Sequence, residues 1–221
     1  MKVGIIDADL IERSKHRFPN LASEKISGYW KDKGADTELL MNYDNLDDYD
    51  HVFISKVFTD TPFPEGIEES ERIHFGGTGF YFDKAKRLEP EIEYHIPDYN
   101  LYDKWINSEV LRAQQNAENT GADFDKKKFM VQFKEYTDYS IGFLTRGCFR
   151  KCKFCVNQKY SRVVRHMGLS DFVDQKRKKI CLLDDNFLGL KTYWREYLEE
   201  LMASGKSFKF KQGLRYMLVK I

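Results

Sequence analysis

Residues 140–155 read SIGFLTRGCFRKCKFC, and the rest of the chain is best understood outward from them. Ile141 to Leu144 is a short apolar run of strand type, and Cys148, Cys152 and Cys155 follow it in a CxxxCxxC loop. Three thiolates at that spacing can wrap one compact inorganic core, and soft sulfur ligands select iron–sulfur clusters, zinc or copper(I) over magnesium or calcium. Three ligands on a four-iron cubane leave one iron open, as a cluster needs if it is to bind a substrate or cosubstrate. Arg146, Arg150, Lys151 and Lys153 bring positive charge that offsets the negative charge of a thiolate-bound cluster. A structural zinc site is the competing reading, with His166 as candidate fourth ligand, although closed zinc sites more usually pair CxxC with a second CxxC or HxxxH. Cys181, inside Ile180-Cys-Leu-Leu, reads as a buried small hydrophobe.

Downstream, Lys179 to Leu183 reads as a second strand that ends in Asp184-Asp185-Asn186. If the two strands are parallel, these acceptors share a sheet edge with the cysteine loop, where they would receive an ammonium group or cap the next helix. Tyr193, Trp194, Tyr197, Leu198, Leu201 and Met202 form the apolar stripe of that helix, with Gly205 as its stop. Phe208 to Gln212 is the third strand.

Upstream, strands are expected at Lys2 to Asp7, Thr37 to Met41, His51 to Val57, Arg72 to Phe75 and Glu91 to His95. Leu21, Ala22, Lys25, Ile26 and Tyr29 recur at helical spacing between the first two, with Gly34 as the cap, so the unit is β-α-β and its sheet parallel. Gly76-Gly77-Thr78-Gly79 follows the fourth strand either as an exit turn or as a ligand cradle. Trp105 to Glu118 has helical character and Asn116 to Lys128 is polar. The fold class is therefore α/β: a Rossmann-like domain over 1–100, a linker with a helix over 101–139, and a second β/α unit over 140–221.

With 36 basic and 35 acidic residues the net charge is +1, so no global field draws the chain toward nucleic acid or anionic lipid. Apolar residues make up 42% of the 221, enough for a sizeable core. The opening MKVGIID meets an acid after a short apolar run, unlike a signal peptide, and no segment approaches the ~20 apolar residues of a membrane span. A reducing cytoplasm is the expected location, consistent with three cysteines packed into one loop.

The CxxxCxxC spacing with an aromatic, Phe154, just before the last cysteine resembles the radical S-adenosylmethionine superfamily. The resemblance implies a [4Fe-4S] cluster on Cys148, Cys152 and Cys155, with S-adenosylmethionine chelated at the open iron and cleaved to a 5′-deoxyadenosyl radical. It further implies that the backbone at Phe154 lies against the adenine, that Asp184, Asp185 and Asn186 stand where the family holds the methionine amino group, and that Gln212 faces cosubstrate or substrate. An electron donor such as flavodoxin or ferredoxin is the implied protein partner. The layout is similar to uncharacterised radical proteins with an N-terminal domain like a cobalamin-binding domain, Gly76-Gly77 falling in the matching place. Because residues 1–100 lack an Asp-x-His-x-x-Gly segment, the domain is expected to hold no cobalamin. Radical cores in this family usually have six β/α units of ~30 residues, and 140–221 accommodates three. A partial barrel is thus expected, completed by a second polypeptide, self-association or a longer parent chain. The alternative function is a non-catalytic zinc- or iron–sulfur-binding interaction module; the substrate is not specified by any residue pattern.

Overall fold

The computed structural model describes residues 1–13 and 18–211. In chain order its elements are β1 (Lys2–Asp7), α1 (Ala8–Glu12), α2 (Leu21–Asp32), β2 (Asp36–Leu39), β3 (His51–Ser55), β4 (Ile73–Gly76), α3 (Thr78–Tyr81), α4 (Pro90–Glu93), α5 (Asp103–Thr120), α6 (Lys126–Met130), α7 (Lys134–Thr137), β5 (Tyr139–Gly142), β6 (Thr145–Arg146), β7 (Val164–Arg165), β8 (Lys179–Leu182), α8 (Trp194–Ala203) and β9 (Ser207–Phe210), with short 3-10 turns between. The chain divides into two compact units, one made of 1–80 with 97–137 and the other of 81–96 with 138–221.

The first unit is a four-stranded parallel sheet in the order β2-β1-β3-β4. Its first crossover, α2, starts where the Asn20 side chain accepts hydrogen bonds from the Ala22 and Ser23 amides, the usual capping device. It stops at Gly34, whose φ of +79° suits the left-handed end of a helix. Ile6, Ala8, Tyr49, Val52 and Ile54 form a buried core on one face. The strand order reverses between β1 and β3, where open α/β sheets tend to hold ligands. Here a buried polar knot lies at that edge: the Tyr102 hydroxyl donates to Asp7 at 2.9 Å and accepts from the Asn20 amide, while Asn20 Nδ2 donates to Ser55 Oγ. Burial, opposed by the Tyr102 hydrogen bond, raises the Asp7 pKa to about 7.

The glycine-rich turn after β4 packs directly on the chain leaving β3. Gly79 N donates to Lys56 O at 2.8 Å and Thr78 Oγ1 to Val57 O at 2.7 Å. A Cβ at Gly77, where φ is +99°, would lie 2.2 Å from Lys56 O. Both the positive φ and the close backbone approach therefore require glycine there.

One expected strand is corrected: Glu91 to His95 is not extended. Pro90 opens the helical turn α4 instead, and the Ile92 and Glu93 amides donate to Glu89 O. Proline's fixed φ favours the first helical position, and this outweighs the short alternation that suggested a strand.

The second unit carries a three-stranded parallel sheet, β5-β8-β9, with β6 and β7 paired antiparallel beside it. The protein is thus a mixed α/β structure with parallel sheets. Leu144, Phe172, Ile180, Leu182, Phe187 and Leu201 are almost fully buried in the second core, and Cys181 is buried as its apolar context predicts. Gln212 lies outside the described residues. No helix among those described is long and apolar enough to cross a membrane.

Candidate functional site

The cysteine loop springs from β5 and is closed at its base by a two-residue ladder, Thr145 opposite Arg165 and Arg146 opposite Val164. Gly147 begins the excursion at φ +95°, and a Cβ there would lie 2.4 Å from Arg162 O. Only glycine fits a turn this close to the returning strand. Cys148, Cys152 and Cys155 are free, half-buried thiols. The Arg150 amide points at Cys148 Sγ (3.5 Å) and the Asn157 amide at Cys155 Sγ (3.4 Å), and Cys155 N donates to Cys152 O at 2.9 Å in a tight turn.

The end of β8 is wired into this loop. Asp184 is fully buried, and its carboxylate accepts the Thr145 amide and hydroxyl, both at 2.6 Å, and the Leu144 amide at 3.3 Å. Desolvation lifts its pKa to about 6 against the opposing pull of those donors. Asp185 accepts Gly147 N at 2.8 Å through one oxygen and Asn157 Nδ2 at 2.6 Å through the other, so it straps the two ends of the cysteine loop together. Asn186 is nearly buried and aims Nδ2 at Cys148 Sγ, 3.6 Å away. These three residues, anticipated as cosubstrate contacts or as a helix cap, are brought together with the cysteine loop and engaged with it. Phe154, by contrast, projects into solvent with 85% of its surface exposed.

A further anchor comes from a distant part of the sequence. Glu93 of α4 lies 2.9 Å from His166 Nε2 and 3.4 Å from Arg146, one residue from each strand end of the β6–β7 ladder region. Arg146 also stacks on Phe143, 3.6 Å from its ring centre. His166 thus faces Glu93. Sequence reading missed Glu93, Thr145, Asn157 and Gly147. Only Gly147, directly before the first cysteine, carried a local signal, because a glycine there marks a turn.

The donor set suits an iron–sulfur core: soft sulfur ligands on one loop, with N–H groups directed at two of the three sulfurs. Among the described residues no three His, Cys, Asp or Glu side chains are gathered to hold a metal ion; metal sites commonly gain their final geometry on binding, since ligation and local folding are coupled.

No family model matches this sequence, and no curated protein matches it. Among solved structures, a radical S-adenosylmethionine methyltransferase, TsrM, from Kitasatospora setae, with cobalamin and a [4Fe-4S] cluster bound, aligns with a TM-score of 0.48 and 14% identity. The alignment covers 91% of this chain and 52% of that one, so the chain spans about half the length of the matched protein. The expectation that the N-terminal domain holds no cobalamin is corrected to this extent: the aligned methyltransferase has cobalamin bound.

Proposed function

We propose that Cys148, Cys152 and Cys155 hold a [4Fe-4S] cluster and that the second unit binds S-adenosylmethionine beside it, making the chain all or part of a radical S-adenosylmethionine enzyme. The single observation that carries this reading is a CxxxCxxC loop leaving a parallel strand, with the end of the neighbouring parallel strand hydrogen-bonded into it. A cluster held by Cys148, Cys152 and Cys155 would supply the single electron for reductive cleavage of S-adenosylmethionine, the source of radical chemistry in this class of enzyme. The chain's own residues supply the frame for that chemistry. Asp184 fixes the strand exit, Asp185 ties the loop's two ends, and Asn186 offers a donor to the Cys148 sulfur. Hydrogen bonds to a thiolate sulfur spread its charge and hold it in place. The backbone at Phe154 and the Gln212 side chain are assigned to cosubstrate recognition, and β5, β8 and β9 to three β/α units of a radical-type barrel. An electron donor of flavodoxin or ferredoxin type is the partner this reading requires.

The test is metal analysis of protein purified and reconstituted without oxygen. Iron and sulfide should be present, each of Cys148→Ala, Cys152→Ala and Cys155→Ala should abolish them, and S-adenosylmethionine should alter the electron paramagnetic resonance signal of the reduced protein. Colourless protein holding stoichiometric zinc and no iron would replace the enzyme reading with that of a binding module.

A further inference from the structure

Residues 146–165 contain seven Lys or Arg and no Asp or Glu, in a chain whose net charge is only +1. One thiolate-bound cluster does not call for that much charge, and the structure separates the cations by task. Arg146 and Arg165 have carboxylate partners, Glu93 and Glu196. Lys151 donates to the Gln158 and Tyr160 carbonyls, and Lys159 to Ala85 O. Arg150, Lys153 and Arg162 have no carboxylate partner among the described residues, and Lys153 and Arg162 are exposed. Aromatic rings alternate with them along the sequence: Phe154 is 85% and Phe149 44% exposed, and Tyr160 carries Arg87 over its face at 5.2 Å.

Exposed aromatic rings among cations without carboxylate partners suit a partner that offers both flat apolar faces and negative charge. Single-stranded nucleic acid does so, since its bases stack on aromatic faces while Lys and Arg follow the phosphates. We propose that the exposed part of the cysteine loop binds single-stranded RNA or DNA, with the Phe154 ring as a stacking platform and Arg150, Lys153 and Arg162 as phosphate contacts. The proposal goes beyond the cluster assignment and does not draw on it, because none of these side chains is a metal ligand. An acidic protein would satisfy the cations equally well, and the effect of Phe154→Ala together with competition by polyglutamate separates the two partners.

Fluorescence anisotropy of a labelled oligouridylate, titrated with the full chain over a range of salt, tests it. Each phosphate contact contributes about −0.7 to the slope of log affinity against log salt on a single strand, so Lys153→Glu with Arg162→Glu should flatten the slope by about 1.4 and weaken binding at low salt. Phe154→Ala should weaken binding about tenfold with the slope unchanged. Lys176→Glu with Lys178→Glu makes the same change of charge at exposed positions elsewhere in the second unit and should leave affinity within about twofold, long-range effects being screened by salt. No binding at low salt would overturn the proposal. So would equal losses in the two double variants, or an unaltered Phe154→Ala protein from which polyglutamate displaces the oligonucleotide, which would mark an acidic protein as the partner.

Discussion

Asp184 and Asp185 adjoin in sequence and perform different work. Three donors converge on the buried Asp184 carboxylate, so an amide in its place would turn an NH2 group toward at least one N–H. Asp184→Asn should lower stability by about 1–3 kcal/mol, measured by urea denaturation. Asp185 is less buried and bridges Gly147 to Asn157. Asp185→Ala should cost little global stability but reduce the iron retained per chain after reconstitution severalfold, because the loop's ends are then free to separate. Asp7 gives a pH signature of unusual sign. Its folded pKa, about 7, lies above the ordinary carboxylate value of 3.8, so the folded state binds its proton more tightly than the unfolded one. The stabilisation from Asp7 is complete below pH ~4 and is lost as pH rises to ~7, an effect of up to about 4 kcal/mol. Denaturation midpoints measured across that window should decline in the native protein, and Asp7→Asn should flatten the decline.

Among the elements, β5 ends where a helix-like turn presses a ring onto its backbone. A Cβ at Gly142 would fall 2.5 Å from the Phe172 ring, which is itself fully buried. Overpacking at such a site typically costs about 1–3 kcal/mol. Gly142→Ala should therefore lower the unfolding midpoint, and adding Phe172→Leu should recover part of the loss although Phe172→Leu alone is destabilising. Additive losses in this double-mutant cycle would show that the contact is not the cause. Most elements were legible from their patterns: β1, α5, β8 and α8 lie within a few residues of the expected ranges. The mistaken strand at Glu91 to His95 arose because a five-residue alternation is weak beside the fixed φ of Pro90. The two strands of the β6–β7 ladder are only two residues each, too short to leave any periodicity.

At the scale of the whole molecule, the chain passes between its two units more than once, since 81–96 packs with 138–221 while 97–137 packs with the first sheet. Glu93 shows the consequence: a residue 53 positions before Arg146 anchors the base of the cysteine loop. Breaking a largely buried ion pair leaves the remaining charges uncompensated. Glu93→Ala should thus destabilise the second unit and raise hydrogen exchange at the Thr145, Arg146 and His166 amides, with exchange in β1 and β3 unchanged.

The sequence by itself determined what depends on short-range pattern and intrinsic chemistry: parallel strands joined by helices, three soft ligands in one loop, glycines at the turns, and the excess of positive charge around the cysteines. Tertiary structure alone decided which partners those groups meet. That Asp185 spans Gly147 and Asn157, that Glu93 reaches Arg146 and His166, and that Arg150, Lys153 and Arg162 have no carboxylate partner among the described residues all follow from which distant segments of the chain become neighbours in space. A hydrogen bond or ion pair is fixed by atomic separations of about 3 Å, and residue spacing along an unfolded chain carries no record of such distances.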